Sequence, residues 1–150
     1  MDAFMKRAVE LSAQNVNEGG QPFGAVLVKD GKVLAEGVNE LHLHFDSSGH
    51  AEMLAIREAQ EKLQTLDLSE AVMYASGEPC PMCYTMMYYA GIREGYYCAS
   101  VEETAEAGLG ASTVLYDDFT KPREERTVVL KQMKLEANQT DPMELFQNRK

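Results

Sequence analysis

The chain has 150 residues, 45% apolar and 25% charged, with three cysteines and a formal net charge of −10. Its length suits one domain, 1–150, with a sizeable core. A protein so acidic would have to grip a phosphate backbone against its own field, so no nucleic-acid partner is expected. Lys and Arg are scattered, with nothing denser than Lys121-Pro122-Arg123. No long apolar run and no signal-peptide pattern at Met1-Asp2-Ala3-Phe4-Met5-Lys6 is present, so a cytoplasmic location and no membrane partner are expected. Three cysteines form no disulfide framework and fit a reducing compartment.

Residues 2–16 carry Phe4, Ala8, Leu11 and Ala13 among polar neighbours and stop at Glu18-Gly19-Gly20, the pattern of an amphipathic helix with a glycine end. Two apolar runs, residues 25–29 and 32–36, flank Asp30-Gly31 and predict a hairpin. Asn39 ends the second run; its amide could donate to and accept from a flat heterocycle, while the spacing alone fits a turn residue better. His42 and His44 read as surface residues of the next loop. Ala51, Ala55, Ala59 and Leu63 recur every four residues and predict a helix opened by His50 and Glu52.

Ala71-Val72-Met73-Tyr74-Ala75 predicts a third strand running into a cysteine loop, followed by a Met- and Tyr-rich core helix that stops at Gly91. Gly95-Tyr96-Tyr97-Cys98-Ala99 reads as a buried fourth strand, with Cys98 as a small hydrophobe. Residues 101–112 are rich in small residues, and Thr104-Ala105-Glu106-Ala107-Gly108 suits a short helix or loop, where Glu106 is a candidate ligand contact because sites favour the carboxyl ends of strands. Thr127-Val128-Val129-Leu130 predicts a fifth strand, and Asp141-Pro142-Met143-Glu144 a capped final helix over 142–148. Strands alternating with helices after a hairpin predict an α/β fold, a three-layer α/β/α sandwich around a mixed five-stranded sheet.

His50, Cys80 and Cys83 carry the chemistry. Zinc takes nitrogen and sulfur donors tetrahedrally, and a catalytic site keeps three protein ligands so that water can hold the fourth position. Pro81 suits a first helical position, which places Cys80 at a helix start and Cys83 in its first turn, where the positive helix end favours thiolate. Glu52 is not needed as a ligand. Bound zinc lowers the pKa of water from 15.7 to about 7, and a nearby carboxylate could move that proton to a leaving amine. A C-x-x-C alone would equally fit a redox pair or half of a structural zinc site; the added His50-Ala51-Glu52 and flanking prolines favour catalysis, because a closed site would want a fourth Cys or His.

His50-x-Glu52 followed by Pro79-Cys80-x-x-Cys83 is the zinc deaminase signature. With Pro22-Phe23-Gly24-Ala25-Val26, Glu36-Gly37-Val38-Asn39, Ala105-Glu106-Ala107-Gly108 and Lys121-Pro122-Arg123-Glu124-Glu125-Arg126-Thr127, the chain resembles the cytidine deaminase-like superfamily, and within it bacterial guanine deaminases over nearly its whole length. The resemblance implies a Zn2+ site at His50, Cys80 and Cys83, proton transfer by Glu52, and a base bonded by Asn39 with Phe23 against its ring, Glu106 beside it and Ala51 among the contacts. It also implies hydrolytic deamination of a free nucleobase or related aminated heterocycle, with water as nucleophile and ammonia released. A homodimer follows by the same resemblance, with the C-terminal helix from Pro142 exchanged between subunits as one form of it.

Two departures bear on this. An acidic pair that follows the Ala-Glu-Ala-Gly motif in those enzymes is replaced by Gly110-Ala111, which removes a carboxylate from the base's exocyclic amine and opens the specificity to another base or a nucleoside. Their aromatic C-terminal residue has no counterpart; the sequence runs Phe146-Gln147-Asn148-Arg149-Lys150, leaving a shorter lid or Phe146 in that role. The alternatives are a tRNA adenosine deaminase, which shares the motifs but should need a basic docking face, and a non-enzymatic zinc-stabilised binding module.

Overall fold

The computed structural model describes residues 1–149. The chain divides into two compact units, one from Met1 to Asp117 and one from Asp118 onward.

In the first unit, helix α1 (Ala3–Asn17) starts at Asp2, whose carboxylate accepts from the N–H groups of Phe4 and Met5 at 2.7 and 3.3 Å. Strands β1 (Gly24–Lys29) and β2 (Lys32–Val38) form the expected hairpin. Asp30 and Gly31 have φ of 51° and 73°. Positive φ at both central residues is the signature of the turn whose twist matches the flanking strands.

Next come helix α2 (Ala51–Leu63), strand β3 (Val72–Gly77), helix α3 (Pro81–Tyr89), strand β4 (Glu94–Ala99) and helix α4 (Val101–Glu106). The sheet order is β2-β1-β3-β4, with β1 antiparallel to β2 and β3, and β3 parallel to β4 across α3. Strand β1 is buried on both faces, as a central strand must be. Its Val26 and Val28 pack with Met5 and Ala8 of α1. Its Ala25 and Leu27 pack with Ala51, Ala55, Ile56 and Ala59 of α2, against which Met86 and Met87 of α3 also lie. Helices therefore cover both faces of a mixed sheet.

Small residues set how closely α2 approaches. A Cβ added at Gly37 would collide with the carbonyl oxygen of Ala51, so glycine there lets the first turn of α2, which carries His50 and Glu52, seat directly on β2. Leu63, expected on the same apolar stripe, is exposed at the helix end.

Three expectations are corrected. The sheet has four strands among the described residues, not five: residues 127–130 are not in a strand, and Val128, Val129 and Leu130 are exposed. β-Branched composition records fitness for a pleated, half-buried surface, and strand structure requires a neighbour to supply the ladder. Second, β4 is an edge, so Tyr96, Tyr97 and Cys98 are exposed rather than buried. Third, the α3 run is core only through its methionines, since Tyr84, Tyr88 and Tyr89 are exposed. A further helix, α5 (Ala111–Asp118), was not anticipated.

In the second unit, Asp118 accepts from the Thr127 N–H and hydroxyl, both at 3.0 Å, across a single 3-10 turn at Arg123–Glu125. Helix α6 (Pro142–Gln147) is capped by Asp141, as expected. No helix among the described residues is long and apolar enough to cross a membrane.

Candidate active site

Two helix starts meet at one point. His50 is the N-cap of α2, in extended conformation and with its imidazole not spent on capping. Cys80 is the N-cap of α3, its Sγ accepting from the Cys83 N–H at 3.5 Å, with Pro81 beginning the helix as expected. His50 Nδ1 lies 3.5 Å from Cys80 Sγ and 3.6 Å from Cys83 Sγ. All three donor atoms lie within 4.8 Å of one another.

That spacing tests the metal directly. Tetrahedral zinc with its usual bonds to sulfur and nitrogen holds the two donor types about 3.6 Å apart. The trio therefore fits Zn2+ without rearrangement, and no fourth Cys or His joins it among the described residues. The electrostatics agree. A hydrogen bond from the Cys83 thiol, then one from His50, pulls Cys80 down to about 4, while that thiolate and burial push Cys83 up. The Cys80 thiolate likewise holds His50 above its usual range, against desolvation. Two neighbouring sulfurs cannot both carry charge here unless a cation sits between them.

Beside the trio, Glu52 is buried in the first turn of α2. Desolvation pushes its carboxyl up to about 7, against the downward pull of its own backbone N–H and of Cys83. A buried carboxyl near neutrality suits proton transfer in both directions.

A cavity of about 220 Å³ opens over these groups, lined by His50, Glu52 and Cys80 with Phe23, Asn39 and Ala111 among others. It is smaller than the roughly 300–1,000 Å³ clefts that take drug-sized ligands. Asn39 and Phe23 line this cavity, and Asn39 is both a turn residue and a wall residue: it is almost fully buried, and its Oδ1 accepts from the Leu41 N–H at 3.1 Å. Ala51 is fully buried between His50 and Glu52 and acts on packing rather than lining the cavity. Glu106 is exposed near the end of α4 and does not line it; Thr104, two residues earlier on that helix, does. Phe146 lies on α6 in the second unit and is exposed.

Several supporting residues carried no sequence signal. Asn15 of α1, buried, donates from Nδ2 to the carbonyls of Gln21 and Asn39 at 2.8 and 2.9 Å, tying two wall segments together. Ser76 accepts from the Gly24 N–H at 2.9 Å, fixing the strand entry behind Phe23. The Tyr116 hydroxyl donates to the Pro79 carbonyl at 2.7 Å, and Glu78 accepts from the Val101 N–H at 3.1 Å, so both sides of the cysteine loop are braced.

Residues 1–99 match the family model "cytidine and deoxycytidylate deaminase zinc-binding region". The guanine deaminase of Bacillus subtilis (strain 168) is 41% identical over 148 residues, covering 98% of this chain and 94% of that one. Its X-ray structure superposes with a TM-score of 0.91 at 40% identity, over 100% of this chain and 96% of that one. The guanine deaminase of Nitrosomonas europaea superposes with a TM-score of 0.67 at 32% identity, over 71% of this chain and 62% of that one. The tRNA-specific adenosine deaminase of Bacillus subtilis (strain 168) is 40% identical over 82 residues, 55% of this chain and 51% of that one. With its His-Cys-Cys zinc site and cytidine deaminase-like α/β fold, the chain belongs to the cytidine and deoxycytidylate deaminase zinc-binding family, as a guanine deaminase-like zinc aminohydrolase.

Proposed function

We propose that the protein hydrolytically deaminates a free, guanine-type nucleobase, exchanging a ring amine for a carbonyl and releasing ammonia. The observation that carries this reading is the meeting of the His50, Cys80 and Cys83 donors with the buried Glu52 carboxylate at a cavity of about 220 Å³. That volume favours a base without its ribose over a nucleoside or a polynucleotide. Likeness to a guanine deaminase over the whole chain, against half of it for the tRNA enzyme, supports the same choice, as does the charge of −10.

In this reading His50, Cys80 and Cys83 hold the ion, which when bound supplies acidified water and charge stabilisation. Glu52, buried beside the trio, would accept a proton at its carboxylate and return it to the departing nitrogen. Asn39 and Phe23 orient the ring, the first by hydrogen bonds and the second by its aromatic face, and residues 1–150 serve as one deaminase domain of a cytoplasmic enzyme.

Ala111 on the cavity wall supports a specificity less strict than guanine alone. A buried amine without an acceptor costs about 1–3 kcal/mol, roughly 5- to 150-fold in selection. Ammonia release is measured across guanine, guanosine, adenine, cytosine, isocytosine and aminotriazines, with Ala111→Asp beside the parent. The parent is expected to accept guanine and at least one other free base at comparable kcat/KM, and Ala111→Asp to shift the balance towards guanine. Strong preference of the parent for guanine, with no gain in Ala111→Asp, contradicts the reading.

A homodimer belongs to the same proposal. Strand β4 leaves one edge unpaired among the described residues, and Tyr84, Tyr88, Tyr89, Tyr96 and Tyr97 are exposed, more aromatic surface than a monomer ordinarily leaves to water. Leu145 and Phe146 of α6 are exposed as well, in keeping with exchange of that helix between subunits. Light scattering at micromolar concentration is expected to give twice the chain's 16.7 kDa; a monomer contradicts it.

A further inference from the structure

Gln21 stands just before Pro22 and Phe23 on the cavity wall, half-buried. Its backbone is held in place: its carbonyl accepts from Asn15 Nδ2 at 2.8 Å and from the Phe23 N–H at 2.8 Å. Its side chain is oriented by a relay of bonds. The Leu41 N–H can only donate, so the Asn39 atom facing it at 3.1 Å is the amide oxygen. Asn39 Nδ2 is thereby turned towards Gln21, whose facing atom, at 3.4 Å, must be the acceptor Oε1. The Gln21 nitrogen is left with its two N–H donors, and no hydrogen bond within the chain uses them among the described residues.

Elsewhere on the lining, the side chains of Leu109 and Ala111 are apolar, Thr104 donates its hydroxyl proton to the Val101 carbonyl at 2.9 Å, Glu78 is engaged by the Val101 N–H, and Ser112 brings a hydroxyl. Gln21 and Asn39 are the two side-chain amides on this cavity, and they meet each other.

We propose that Gln21 is a specificity-determining residue which donates from Nε2 to an acceptor, a ring nitrogen or carbonyl oxygen, on the edge of the bound base, selecting oxo- or aza-substituted amino heterocycles; this rests on the base-binding reading above. A site built to donate to such an acceptor discriminates against analogues that lack it, because the donor is then left unpaired.

Gln21→Glu tests this cleanly. It keeps the shape and keeps an oxygen to accept from Asn39, so the wall is preserved, yet it removes both donors and sets a second oxygen against the base's acceptor. Gln21→Ala is the truncation control, and zinc content and Tm are read for both. Affinity for 8-azaguanine by calorimetry and KM for guanine are each expected to worsen about 10-fold or more in Gln21→Glu, with kcat within about threefold and zinc unchanged, in the range of a lost directional hydrogen bond. Among 3-deaza-, 7-deaza- and 9-deazaguanine, or a guanine analogue lacking the oxo group, one should bind parent and Gln21→Ala equally, because the contacted acceptor is missing from it. Unchanged affinity in both variants, or an equal loss for every analogue, overturns the assignment. A parent that binds no 8-azaguanine and turns over no base overturns the base-binding reading itself, and this inference with it.

Discussion

Glu52→Gln is expected to reduce ammonia release from guanine by at least about 100-fold while zinc content and fold stay those of the parent, in line with the usual contribution of a positioned acid–base group. The amide fills the same space in the first turn of α2, where Glu52 is buried, and Glu52 is not among the metal-holding trio. What it loses is the capacity to accept a proton from water and deliver it to nitrogen. The loss should therefore fall on kcat, with KM little changed, because the carboxylate is assigned to proton transfer and not to holding the ring. Near-normal turnover by this variant would remove Glu52 from the mechanism, whereas a zinc-loaded parent that releases no ammonia would favour a zinc-stabilised binding module.

Cys83→Ala should bring bound zinc from one ion per chain to near none after dialysis, read by metal analysis. Two ligands remain at a centre that the fold otherwise completes with three, and tight binding by His50 and Cys80 alone is not expected. Stability should fall with the metal, since an ion that binds only the folded chain contributes about 2.7 kcal/mol when free zinc is 100 times its Kd. Added zinc should therefore raise the Tm of the parent and leave that of the variant in place. Full zinc content in Cys83→Ala would sink the ligand assignment, whatever its activity.

The metal centre was legible in the sequence because its logic is local. Cys80, Pro81 and Cys83 lie within one helix start, His50 and Glu52 within another, and capping preferences place each without knowledge of the tertiary fold. The Asp30-Gly31 hairpin was legible for the same reason. What escaped depended on distant partners. Residues 127–130 have the composition of a strand but no strand beside them, and β4 reads as a core strand although its position in the sheet makes it an edge. Glu106 is a candidate by its place beyond a strand's carboxyl end, yet Thr104 is the residue that α4 presents to the cavity. Asn15, Gln21 and Tyr116 act through hydrogen bonds to backbone or side chains between 6 and 37 positions away, and no spacing rule reports such contacts. Ala111 was visible as a departure from a pattern, and the structure adds that it faces the cavity.

The most direct test of the central claim is the fate of guanine in oxygen-18 water with zinc-loaded protein, followed by mass spectrometry and an ammonia assay. Hydrolytic deamination predicts one ammonia for each guanine consumed and a product carrying one heavy oxygen at the carbon that lost its amine, both abolished when the zinc is removed and regained when it is restored. Guanine, guanosine and the other amine-bearing bases all recovered unchanged, with no ammonia formed by a protein holding one zinc per chain, would contradict it.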